Sequence, residues 1–176
     1  MTSRENTLFV THCSAGKNQV WGGPLALYTS ERIQRFGKWC NDAGVRWAIV
    51  SAKHGLFFPH ESHGPYDMEF SFSYGECLVF ERGHLLPNSE GHVRRLVEAV
   101  RARLKELNFR EVILYAGGRR PWAYLLVVHR ALDTCTRPHS SRDDVRACWQ
   151  EAGRLHVAGS MYDVEAELGR LRPPGG

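Results

Sequence analysis

Three short segments carry the side chains best suited to chemistry: His12-Cys13-Ser14-Ala15-Gly16-Lys17, Ser51-Ala52-Lys53-His54-Gly55 and Ala116-Gly117-Gly118-Arg119-Arg120. In the first, small residues let backbone N–H groups approach an anion, and Lys17 adds charge. The spacing departs from GxxxxGK[ST], so this is not an ordinary P-loop. Cys13 is a nucleophile if its thiol ionises easily, and a buried structural cysteine otherwise. In the second, Lys53 can fix a phosphate or carboxylate and His54 can move protons near neutral pH. The alternative is that both cap a strand end and face solvent. In the third, Gly117 and Gly118 with Arg119 and Arg120 ahead of Pro121 place donors and guanidinium groups at a helix start, where anions bind. Asp67, closing Gly64-Pro65-Tyr66-Asp67, is either a general base that activates water or an Asx-type cap for the next element. His54, His60 and His63 with Glu61 and Asp67 match neither HExxH nor a Cys/His finger, so no metal is expected.

The elements that must position these groups follow from the apolar pattern. Leu8–Val10, Trp47–Val50 and Val112–Tyr115 are continuous apolar runs, as in parallel strands covered on both faces. Ile33, Phe36, Trp39, Cys40 and Ala43 recur at helical spacing with Gly44 as the stop, and Val93 through Leu107 forms a second stripe whose arginines face water. Pro121 suits the first turn of a third helix through His129, although Ala123–Val128 is apolar all round and strand competes. Residues 54–67 lack a period and read as a long ordered loop. Met68 through Tyr74 alternates as an edge strand would, Arg137–Arg146 is a polar connection, Leu155–Val157 is a last strand and Val164–Leu171 a last helix. This order predicts an α/β fold with a mostly parallel central sheet. Residues 1–172 form a single domain, and 173–176 a flexible tail. In such sheets ligands bind beyond the carboxyl ends of the strands, where all three segments fall.

The composition bounds the rest. The chain has 176 residues, 43% hydrophobic and 24% charged, which is ordinary globular composition and enough for one domain. No apolar run approaches the ~18 residues of a membrane span, and Met1–Asn6 lacks a signal-peptide core, so no membrane partner is expected. The five cysteines are scattered without a CxxC pair and read as reduced thiols of a cytoplasmic protein. A net charge of +4 permits a phosphate-bearing or nucleic-acid partner without demanding one. Trp21, Phe57, Phe58, Phe70, Phe72 and Tyr74 could be core, a base-stacking wall or a homodimer patch.

The segment Val50-Ser51-Ala52-Lys53-His54-Gly55-Leu56-Phe57-Phe58-Pro59, followed by Gly64-Pro65-Tyr66-Asp67, resembles the S-x-x-x-G-L-x-x-P…P-Y signature of the YaaA-like peroxide-stress proteins. It is more similar still to a related bacterial domain family with a CSxxK opening and an SAK(H/Y)GL loop, matched here by Cys13-Ser14-Ala15-Gly16-Lys17. With Leu27-Tyr28-Thr29-Ser30 the opening also resembles the CSxxK…YxxS region in the catalytic domain of archaeosine synthase. The resemblance implies a three-layer α/β fold akin to uracil-DNA glycosylases, with a site for a base or nucleotide. It implies DNA binding in one branch and amine addition to a base nitrile in the other. No nucleic-acid-binding module or helix-hairpin-helix-like insertion is evident, which favours a free nucleoside or nucleotide.

The leading expectation is therefore an enzyme that cleaves or exchanges an N-glycosidic bond without a cofactor. Asp67, His54, Lys53 and Cys13 form its candidate catalytic set. Lys17, Lys53 and Arg119 or Arg120 would hold the phosphate or sugar. Tyr66 would stack on the base, Asp67 would orient water or offset oxocarbenium charge, and His54 would protonate the leaving base. Ser14, Tyr28, Ser30, Ser51, Gly55, Phe57, Gly117 and Gly118 would line the substrate. Two other expectations are a non-catalytic DNA-binding stress protein and amine or amide transfer through Cys13 or Lys17.

Overall fold

The computed structural model describes residues 4–73, 76–117, 121–132 and 153–171. A five-stranded sheet forms the centre, in the order β3-β2-β1-β7-β8. Its strands are β1 (Thr7–His12), β2 (Trp47–Ser51), β3 (Gly55–Phe57), β7 (Glu111–Tyr115) and β8 (Leu155–Ala158). β1 runs parallel to β2 and to β7, and β7 parallel to β8, whereas β3 returns antiparallel to β2. The fold is thus α/β with a mixed, mostly parallel sheet. The three apolar runs are strands because water is excluded from both their faces: every residue of β2 and β7 is buried, as are Thr7–Thr11 of β1.

Helices cover the sheet. A short helix, α1 (Pro24–Leu27), precedes α2 (Glu31–Ala43), which ends at Gly44 in the left-handed conformation that glycine adopts freely. Phe36 of α2 stacks on Tyr115 of β7 at 5.6 Å and meets Trp47 of β2 edge-on at 6.1 Å, fixing α2 across the sheet. α3 (Ser89–Glu106) starts at Asn88, whose side chain accepts from Gly91 N–H, and ends with Arg103 and Lys105 at its negative pole. α4 (Trp122–Ala131) packs along α3, and α5 (Met161–Arg170) opens with a Ser160/Asp163 capping box. The all-apolar segment 123–128 is therefore helix, and Tyr124 through Val128 are buried. Among the described residues no helix is long and apolar enough to cross a membrane.

Two expectations change. The stretch 54–67 is not loop throughout, because Gly55–Phe57 pairs with Ile49–Ser51. Three residues are too few to show a period, so the strand is invisible to pattern. The alternating segment after Asp67 is a strand, β4 (Met68–Ser73), but it belongs to a separate antiparallel sheet with β5 (Glu76–Glu81) and β6 (His84–Leu85). Met68 and Phe72 face inward and Glu69 and Ser71 outward, the half-buried alternation of a sheet with one wet face. Tyr74, the connection 137–146 and the tail 173–176 lie outside the described residues.

Gly55 starts β3 at φ +72°, and a Cβ there would meet Val100 Cγ2 of α3 at 3.3 Å. Both the conformation and the helix contact select glycine. Gly55→Ala should therefore lower unfolding stability by about 1–3 kcal/mol, read from the midpoint of a urea titration; an unchanged midpoint would contradict this packing.

Candidate functional site

The parallel pairing brings the carboxyl ends of β1, β2 and β7 to one rim of the sheet. His12 lies in register with Val50, and the chain then carries Cys13 past β2, where its N–H donates to the Val50 carbonyl at 3.0 Å. Residues beyond β1 and β2 converge on the tyrosine that the long loop returns. Lys17 Nζ lies 4.3 Å from the Tyr66 ring centroid and Lys53 Nζ 5.9 Å from it, so both lysines named from sequence share one aromatic neighbour. Lys17 also donates to the Ser14 carbonyl at 2.9 Å and pairs with Tyr28 in an isolated antiparallel bridge. Among the described residues neither lysine meets a carboxylate within ion-pair distance. Burial pushes the Lys17 ammonium below the usual lysine range, against the charges of Cys13, Asp67 and Glu69, which push it back up.

Beneath the lysines runs a chain of hydroxyls. Ser51 Oγ, buried at the end of β2, accepts from the backbone N–H groups of Lys53 (3.2 Å) and His54 (3.1 Å). Its lone pairs are then engaged, so its proton goes to the Tyr66 hydroxyl 2.7 Å away. Tyr66 and Tyr28 share the next bond at 2.5 Å. Two phenolic protons serve one bond, which leaves one for an acceptor in the site. Burial raises both phenols well above the ordinary tyrosine range, so the chain stays protonated at neutral pH. His92 of α3 braces the turn after β2 through its Nε2, 2.9 Å from the Ala52 carbonyl.

The third cation is Arg32, in the first turn of α2. It donates to Thr11 Oγ1 and, at 2.8 Å, to the His12 carbonyl. Its chain crosses Gly117 at the end of β7, where φ is +63° and a Cβ would fall 2.2 Å from Arg32 Cδ. Glycine at 117 thus makes room for the arginine. Burial lowers the Arg32 pKa, with Cys13, Tyr115 and Tyr124 acting the other way, and among the described residues no carboxylate pairs with it. A cation at a helix N-terminus is disfavoured by the helix dipole unless an anion joins it. The same reasoning, applied in the sequence to Arg119 and Arg120, would have found Arg32. Gly118, Arg119 and Arg120 themselves lie outside the described residues.

Cys13 is buried with its Sγ 3.0 Å from the Tyr124 hydroxyl. Tyr124 stacks on His12 at 5.3 Å and on its other side meets Phe70 at 5.1 Å. Arg32 and Tyr124 were not singled out from sequence, and His12 and His63 were named there without a role in the catalytic or binding set. His12 and Tyr124 sit in runs that packing alone explains, and His63 in a stretch without a period. His63 stacks face to face on His54 at 3.9 Å, over Phe57, and its backbone pairs with Gly22. Phe57 is fully buried under this pair. Ser30 is the N-cap position of α2 without a side-chain cap bond, Ser14 Oγ reaches only the Gly16 carbonyl at 3.4 Å, and Gly55 packs against α3. Asp67 is exposed at the start of β4, near enough to act on Lys17. Among the described residues no three His, Cys, Asp or Glu side chains are grouped as a metal ion would need.

Two histidines make the site pH-sensitive. Burial and then Arg32 press His12 down to about 4, while burial, His63 and Lys53 press His54 to about 4. Unfolded, both take protons near 6.5. The unfolded chain then binds more protons between these values, so their contribution to stability is complete above about pH 6.5 and is lost as pH falls towards 4. Urea unfolding across that window should show stability falling on acidification, with a shallower slope in His54→Gln. A slope unchanged in the variant would contradict the assignment. In comparisons with known proteins the chain matches no family model, no curated protein and no solved structure.

Proposed function

We propose that this protein is an enzyme acting on a nucleoside or nucleotide, cleaving or exchanging its N-glycosidic bond. The observation that carries the reading is the pair Lys17 and Lys53 beside the Tyr66 end of a hydroxyl chain, with Arg32 on the His12 carbonyl at the end of β1, none of the three within ion-pair distance of a carboxylate among the described residues. Cations held together without acidic partners repel one another until an anion joins them, and a phosphate supplies that charge. The likeness of the Cys13–Lys17 and Ser51–Asp67 segments to the YaaA-like and archaeosine-synthase families supports the same substrate class. The finer fold assignment, a three-layer uracil-DNA-glycosylase-like sandwich, rests on that likeness.

In this mechanism Lys17, Lys53 and Arg32 clamp the phosphate and fix the sugar, and the spare phenolic proton of the Tyr28–Tyr66 pair donates to a sugar or base acceptor. The bond from the sugar carbon to the base nitrogen breaks, its electron pair leaving with the base. The Asp67 carboxylate offsets the positive charge growing on the sugar and takes a proton from the attacking water. His54 is neutral at pH 7, so in place of the proton donation expected from sequence its part is to hydrogen-bond the leaving base through its N–H, and the proton that Asp67 takes from water completes the free base. One observation favours amine transfer as a second reading. The lowered Lys17 pKa frees more of its amine to attack a base-derived electrophile.

Chromatography of nucleoside 5′-monophosphates incubated with the protein should show free base. Asp67→Asn should cut turnover about 100-fold or more, and Lys17→Ala should chiefly raise KM. Absence of base release, or an Asp67→Asn rate equal to the parent, would overturn the glycosidic reading. Intact mass showing a nucleotide-derived adduct lost in Lys17→Ala would move weight to amine transfer. Duplex affinity falling steeply between two salt concentrations would move it to DNA binding.

A further inference from the structure

Between β4 and the first turn of α4 lies a cleft of about 230 Å³ that the mechanism above leaves unused. Its walls include Phe70, Ser71, Phe72, Trp122 and Tyr124, and among the described residues no charged side chain lines it. Both elements that wall it also touch residues of the cationic rim. On α4, Tyr124 reaches Cys13 with its hydroxyl and Phe70 with its ring. On β4, Asp67 and Glu69 act on Lys17 immediately before Phe70. We propose that this cleft is the base subsite: it takes the planar ring of a nucleoside monophosphate whose phosphate lies on Lys17, Lys53 and Arg32. The inference rests on the nucleotide reading and says where the base goes.

Three observations select a base as occupant. The volume is below the roughly 300 Å³ at which pockets accept a whole drug-sized molecule, so it holds one ring system and not an entire nucleotide. Aromatic walls whose described residues bring hydroxyls and no charge suit a flat, neutral heterocycle over a sugar phosphate. The stacking surface expected at Tyr66 is meanwhile taken on one face by the Lys17 ammonium. Ser71, exposed on β4, is the polar group placed to read the ring edge.

Titration calorimetry on the full chain with adenosine and uridine monophosphates, ribose 5-phosphate and inorganic phosphate tests this. Phe70→Ala should weaken the nucleotides by roughly 5- to 150-fold, the range of one lost base stack, and leave ribose 5-phosphate within twofold. Trp122→Ala removes a wall on the α4 side and should act the same way, with thermal unfolding confirming that each variant is folded. Equal losses for nucleotide and ribose 5-phosphate, or no loss for either, would overturn the subsite and leave the nucleotide reading standing. A parent protein that binds ribose 5-phosphate as tightly as the nucleotides would do the same. If none of the phosphorylated ligands binds the parent protein, the nucleotide reading falls and the subsite with it.

Discussion

Parallel strands that are buried on both faces must put their polar groups at their ends. β1, β2 and β7 leave no solvent-facing side on which a serine, lysine or histidine could be placed between their limits, so the chain changes character abruptly at His12, Ser51 and Ala116. Parallel pairing then delivers those three changes to the same edge. The rest of the arrangement depends on this constraint. Lys17 and Lys53 are far apart in sequence but share the Tyr66 ring, because β1 and β2 are hydrogen-bonded neighbours running the same way.

The rim is held open by contacts that serve no core. Arg32 spans from α2 to β1 and β7 across a glycine, and Ser51 ties two backbone donors and a phenol together at one oxygen. Concentrating positive charge and half-spent hydroxyls is unfavourable for the free protein, since buried polar groups are normally satisfied and buried charges paired. Elsewhere the structure follows that rule: Glu61 meets Arg103 at 2.7 Å and Glu111 meets Arg170 at 3.1 Å. Both ion pairs join an acidic residue to an arginine on a helix. Those closed pairs differ in this from the rim, where Lys17, Lys53 and Arg32 have no carboxylate within ion-pair distance among the described residues.

Much of this was legible early. Ser51, Tyr66 and Lys53 were marked by a short motif, and Tyr28 with Lys17 by another, and the five converge as a group. The motif records which residues occur together, and one strand end suffices to gather them. Arg32 and Tyr124 escaped because a helix position has two faces, and only the packing partner decides which residues of an amphipathic or wholly apolar helix turn to the sheet edge. β3 and β6 escaped because strands of three and two residues are defined by their partners and not by an internal period.

The sequence by itself determined the class of fold, the strands that are buried on both sides and the chemical character of their ends, since these follow from how apolar and polar residues alternate along the chain. It could not determine the direction of β3, the separate sheet that carries Phe70 and Phe72, or the passage of Arg32 over Gly117. Those are settled by hydrogen bonds and contacts between segments distant in sequence, whose free energies depend on distance and orientation in space. The cleft between β4 and α4 exists only because two such segments meet, and neither of them carries a sign of it alone.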